Sequence, residues 1–158
     1  MGYYMHDLCV LAKGILSVAN GASKQLKGDA MNAEHEIVTM ERKALARWCK
    51  GDPSGFLEIS APEVAYFDPF VPKRVDGWDR LNSYYEGIRG QVSATRFELI
   101  DPRVQEGGEL AVLTFNFVSW GGNENEFRWN CTEVFRRTPS GWKIIQTHWS
   151  FAQPTLAQ

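Results

Sequence analysis

Tyr66, Asp68, Asn116, Glu133 and His148 are polar groups set among apolar strand residues, where a side chain is either satisfied by its own fold or aimed at a ligand. Asp68 stands between Phe67 and Pro69-Phe70. Loss of water there raises a carboxyl toward the range of a general base, and the same carboxylate is equally placed to hold the turn at Pro69. Glu133 lies between Thr132 and Val134, with Trp129 and Cys131 on its own face of a strand. It reads either as a buried acid kept protonated to donate a hydrogen bond or as an edge carboxylate paired with Arg128 or Lys143. Asn116, between Phe115 and Phe117, reads a ligand or satisfies a bulged backbone. His148 reads first as a core or interface histidine and second as an acid or base.

Stronger motifs are missing. His35-Glu36 has no histidine at metalloprotease spacing, and His6, His35 and His148 do not cluster, so no metal site is expected. There is no Gly-x-Ser-x-Gly elbow, no Cys-x-x-Cys pair and no glycine fingerprint for a nucleotide, so no cofactor is expected either.

The elements that must position these residues are punctuated clearly. Asn32 can cap a helix whose buried face is Ile37, Met40, Ala44, Leu45 and Trp48, and Gly51 stops it. Asp52-Pro53 opens a short second helix through Phe56, Leu57 and Ile59, ended by Pro62. Val64 to Asp68 reads as a strand, followed by a loop at Pro69 and Pro72. Asp76 starts a third helix with Trp78, Leu81, Tyr84, Tyr85 and Ile88 on one face and Gly90 as its left-handed stop. Four strands follow, Val92 to Ile100, Leu110 to Trp120, Glu126 to Arg137 and Trp142 to Phe151, separated by glycine-containing turns. Helices first and strands afterwards predict an α+β fold built on an antiparallel meander. Both faces of these strands carry apolar residues, so two covers are expected: helices on one side, and a second copy of the chain or the N-terminal helix on the other.

With 44% apolar residues in 158, the chain can fill one core. Seventeen basic against nineteen acidic residues, with no run of like charge, exclude a nucleic-acid or anionic-membrane partner. Three scattered cysteines, Cys9, Cys49 and Cys131, suit reduced core thiols and a cytoplasmic setting. Residues 1–30 lack a basic leader and an uncharged span. Tyr4, Leu8, Leu11, Ile15, Val18, Ala22 and Leu26 recur at gaps of three and four. That pattern makes residues 1–30 a helical extension to a domain over 31–153.

The stretch from Glu36 to Pro154 resembles the nuclear transport factor 2-like superfamily, especially its SnoaL-like and ketosteroid isomerase-like branches. The resemblance rests on Ala61-Pro62-Glu63-Val64-Ala65-Tyr66-Phe67-Asp68-Pro69, Val75-Asp76-Gly77 with Tyr84-Tyr85, Glu133-Val134-Phe135-Arg136, Gly141-Trp142-Lys143-Ile144 and His148-Trp149-Ser150, in that order. It implies a cone-shaped, cystatin-like roll: a curved antiparallel sheet wrapped around about three helices, with an apolar cavity. The resemblance places Asp68 on the isomerases' base and Glu133 on their protonated oxyanion donor, a pair that serves as a general illustration of tuned carboxyls. Ala44 stands where those enzymes carry a tyrosine, and Tyr66 is the substitute phenol. The stretch is also similar to the association domain of calcium/calmodulin-dependent protein kinase through Ile100-Asp101-Pro102-Arg103-Val104 and Thr147-His148-Trp149-Ser150. Two of that domain's anion-binding arginines fall on Asn116 and Trp149, which argues against an anionic ligand here.

The expectation is therefore a homodimer holding a small apolar molecule. Asp68, Glu133 and Tyr66 would carry cofactor-free proton transfer as an isomerase, dehydratase or cyclase, and Trp48, Asn116, Trp129, Thr147, His148 and Trp149 would contact the ligand. Both resemblances imply that Trp149 faces the cavity, and by the period of two Ile145 and Thr147 join it while His148 points to the opposite face. The alternative is a noncatalytic binding or dimerisation module.

Overall fold

A computed structural model describes residues 33–152. The stripe at residues 4–26, the Asn32 cap and the proposed extension over 1–30 lie outside the described residues. Helix α1 covers residues 33–48, and Ile37, Glu41, Ala44 and Leu45 are buried at the three- and four-residue spacing of one helix face. Met40 is only half-buried, so Glu41 takes the interior place expected for it.

The end of α1 is tied to the end of a later helix. Gly51 has φ of +79° and its carbonyl accepts from the Gly90 N–H at 2.8 Å. A β-carbon at 51 would stand 2.8 Å from the Gly90 Cα, so the approach requires glycine. Helix α2 (Ser54–Ile59) follows, with Asp52 accepting from the Ser54 N–H at 3.0 Å.

Strand β1 (Ser60–Phe67) starts four residues before the predicted Val64 and contains Pro62. Its pairing is irregular between Ser60 and Ala65, which accommodates a residue with no N–H to donate. β2 (Val75–Asp76) pairs with β1 at Ala65 and Tyr66, so Asp76 belongs to the sheet and α3 (Trp78–Gly87) begins two residues later than predicted, after Gly77. β3 (Arg96–Gly107) runs past Ile100 through a bulge at Asp101, whose φ is 47°. β4 (Leu110–Trp120), β5 (Glu126–Thr138) and β6 (Gly141–Phe151) complete the meander within a residue or two of the predicted bounds.

The six strands are ordered β2-β1-β6-β5-β4-β3. β1 lies parallel to β6, so the sheet is mixed and not antiparallel throughout. Facing rows run across β4, β5 and β6. On the helix side they are Leu113–Glu133–Thr147, Phe115–Cys131–Trp149 and Phe117–Trp129–Phe151. On the other side they are Val112–Val134–Gln146, Thr114–Thr132–His148 and Asn116–Asn130–Ser150. The second set is mostly polar, which corrects the expectation of two apolar faces. A register shift between Val134 and Phe135 flips the parity of β6, so Ile144 is buried in place of Ile145. No helix among the described residues is long and apolar enough to cross a membrane.

Candidate functional site

Helix ends and strand ends meet in a pocket of about 570 Å³. Trp48 comes from the last turn of α1, Tyr66 and Asp68 from the end of β1, and Tyr84 and Tyr85 from α3. Trp129, Trp149 and Phe151 come from β5 and β6. Roughly half of the lining residues are aromatic. Trp48 meets Tyr85 at 5.1 Å between ring centres, and Trp129 meets Trp149 at 6.3 Å edge to face. The rim is hydrophobic and open, with Phe70 67% and Phe127 and Phe151 each 46% exposed.

Asp68 is half-buried in the wall, where it holds the turn at Pro69 and also meets two phenols. Its Oδ1 accepts from the N–H groups of Phe70 at 2.7 Å and Val71 at 2.9 Å, which holds the turn at Pro69. Its Oδ2 accepts from the hydroxyls of Tyr66 at 2.7 Å and Tyr84 at 2.8 Å. Four donors occupy about four lone-pair directions. Burial first, and the neighbouring Asp68 charge after it, push both phenols above their ordinary range, so each is a neutral donor at neutral pH. Burial pushes the Tyr85 phenol up more strongly than the adjacent Tyr66 hydroxyl lowers it. Burial also moves the Cys49 thiol up to about 11. Tyr66, Tyr84 and Tyr85 thus bring three phenols to the pocket wall from β1 and α3.

Glu133 is elsewhere. It is 0% exposed, absent from the pocket lining, and accepts from the Thr147 hydroxyl at 2.6 Å. Its other neighbour is Glu41 of α1, also 0% exposed. If both were ionised, Glu41 Oε1 and Oε2 and Glu133 Oε2 would have no donor. One proton shared between them gives Glu133 Oε2 a donor, relieves the repulsion of two buried charges and leaves a single neutral oxygen of Glu41 without a donor. Burial raises both carboxyls, and the Glu133 charge raises Glu41 further, so Glu41 is the neutral donor and Glu133 its acceptor. The edge reading of Glu133 is excluded: Arg128 pairs with Glu126, and Lys143 Nζ donates to the Glu58 carbonyl at 2.6 Å.

Of the residues expected from the sequence, Tyr66, Asp68, Trp48, Trp129 and Trp149 converge on the pocket. Thr147 is buried against Glu133, and Asn116 and His148 are exposed on the other sheet face. Asn116 donates to Asn130 Oδ1 at 2.8 Å, and His148 rests beside Phe67 at 5.6 Å between rings. Sequence reasoning missed Glu41 and the Tyr84 contact. Glu41 had a legible signal, since it lies four residues from both Ile37 and Leu45 on an apolar stripe. Among the described residues no group of three or more histidine, cysteine or acidic side chains is arranged to hold a metal ion.

A six-stranded sheet with helices over one face and a pocket at their shared end is a fold this chain shares with solved proteins described as NTF2-like. The chain belongs to the SnoaL-like domain family, whose model matches residues 42–154. It is similar to a protein of Parabacteroides distasonis ATCC 8503 provisionally called a ketosteroid isomerase. Identity is 43% over 75% of this chain and 86% of that one, with a TM-score of 0.68. Two likenesses concern the fold alone. An NTF2-like protein with a cystatin-like fold from Novosphingobium aromaticivorans is 16% identical over 87% of this chain and 91% of that one, with a TM-score of 0.69. The S. rosetta CaMKII hub is 21% identical over 73% and 94%, with a TM-score of 0.61. No curated protein is detectably similar to the chain.

Proposed function

We propose that this SnoaL-like domain binds one small, flat, predominantly apolar molecule in the aromatic pocket, with its polar end beside Asp68. The observation that carries this reading is the pocket itself: about 570 Å³ of space walled by Trp48, Tyr85, Trp129 and Trp149, with Asp68 alone among the described lining residues carrying a formal charge. Calorimetry with 2-naphthol and naphthalene-2-sulfonate tests it. The neutral ring system is expected to bind and the anion to bind at least about tenfold more weakly, because a unit charge beside a partly desolvated carboxylate is repelled. Equal affinity for the two, or binding of neither, refutes the proposal.

Proton transfer is the second reading, favoured because Asp68 is the carboxylate that reaches the pocket. The sequence-based mechanism gave one bound molecule two carboxyls, and Glu133 does not share the pocket with Asp68. Asp68 would act alone, and with four donors on it, it takes a proton from carbon only after the Tyr66 or Tyr84 phenol turns away. Exchange of the C1 protons of 2-tetralone for deuterium, lost in Asp68→Asn, would carry this reading. Equal exchange in both proteins ends it.

The proposal also takes the chain as a homodimer, now with a narrower apolar patch of Leu110, Val112 and Val134 on the outer sheet face. Light scattering is expected to give about 36 kDa, twice the chain mass of 17.9 kDa, and a mass near 17.9 kDa overturns it.

A further inference from the structure

We propose that the ligand is an organic cation, an ammonium group carried on a flat apolar body, with Asp68 as its counter-ion and the surrounding rings as its cage. The inference rests on the pocket being a small-molecule site and names the chemistry of what enters it.

Charge is the first argument. Among the described residues no lysine, arginine or histidine pairs with Asp68, whose four partners are two backbone amides and two phenols, all neutral. Arg74, six residues along the chain, is engaged with Asp76 at 2.5 Å. A half-buried carboxylate without a cation leaves the pocket negative, and the apolar walls weaken screening of that charge. The neutral thiol of Cys49 and the neutral phenols add no opposing charge.

The hydrogen-bond inventory supplies the second argument. A ligand acceptor would face an anion, and a ligand donor would find the lone pairs of Asp68 already taken. An ammonium group, above all a quaternary one, needs only the charge. The third argument is the wall: the Tyr66 and Tyr84 phenols touch the carboxylate, and Trp48, Tyr85, Trp129 and Trp149 line the same pocket with further rings. Rings of this kind attract cations through their π-electrons, and a desolvated setting strengthens the attraction.

The test compares phenyltrimethylammonium with tert-butylbenzene, a neutral molecule of the same shape, and with benzenesulfonate, each titrated calorimetrically into the full chain. The cation is expected to bind at least about tenfold more tightly than tert-butylbenzene, and benzenesulfonate most weakly. Raising sodium chloride from 20 to 500 mM should weaken the cation several-fold and leave tert-butylbenzene unchanged. In Asp68→Asn the preference for the cation should fall below about threefold. If that variant does not fold, the salt series on the unaltered chain decides the matter. Binding of tert-butylbenzene as tight as that of the cation overturns the inference and leaves the apolar pocket standing. Binding of none of the three overturns both.

Discussion

Replacing Glu41 with glutamine gives the sharpest consequence of the buried carboxyl pair. The amide has the shape of the protonated acid and can donate to Glu133 in its place, so packing is preserved while the titration is removed. A carboxyl that enters the fold neutral at pH 7 must be protonated from an ordinary value of 4.5, a gap of about 2.5 pH units. At about 1.4 kcal/mol per unit this costs the fold about 3 kcal/mol, and well under 1 kcal/mol at pH 5. Because burial raises the folded value, the stabilising contribution is complete below about pH 4.5 and is lost as pH rises through the folded value. Glu41→Gln should therefore raise the melting temperature by about 6 to 12 °C at pH 7 to 8, and by little at pH 5. Thermal unfolding followed by circular dichroism across pH 5 to 8 reads both. A variant less stable than the natural chain at pH 8, or a difference that does not change with pH, refutes the shared proton.

Gly51→Ala combines a positive φ with a β-carbon 2.8 Å from the Gly90 backbone, so chemical unfolding should show a loss of about 2 kcal/mol or more; a loss under about 0.5 kcal/mol would mean that the two helix ends are free to separate. Cys49 and Cys131 should resist iodoacetamide at pH 8 in the folded chain, because burial holds both thiols above the range in which thiolate forms. Peptide mapping after labelling checks this, and rapid modification of either residue without unfolding contradicts it.

The meander β3 to β6 was legible because its strands are long and its turns carry glycine, proline or asparagine. The parallel pairing of β1 with β6 was not, since the local pattern of residues 60–67 says nothing of a partner eighty positions later. Period-two counting also failed locally at Ile145, where one inserted residue exchanges the two faces of β6. In the pocket, Trp48, Trp129 and Trp149 were readable as large apolar side chains near element ends. The hydroxyl of Tyr84 on Asp68 joins a helix to a loop sixteen residues away, and no spacing rule reports such a contact. The sequence left Glu133 open between a buried acid and an edge carboxylate, and the buried reading opened it into the pocket. The partner is Glu41, a residue type that hydrophobic patterning assigns to solvent even when its position lies on the apolar stripe.

The central claim is that one aromatic pocket beside Asp68 receives the ligand, and the six tryptophans provide the most direct test. Trp48, Trp129 and Trp149 line the pocket. Trp142 is buried in the core, Trp78 donates its indole N–H to the Leu57 carbonyl at 2.9 Å, and Trp120 lies under Arg96. In a nitrogen-15 spectrum of the indole N–H groups, titration with phenyltrimethylammonium or 2-naphthol should move the signals of Trp48, Trp129 and Trp149 together along one saturating curve and leave Trp78, Trp120 and Trp142 in place. Shifts confined to Trp78, Trp120 or Trp142, or no shift at millimolar ligand, would contradict the account.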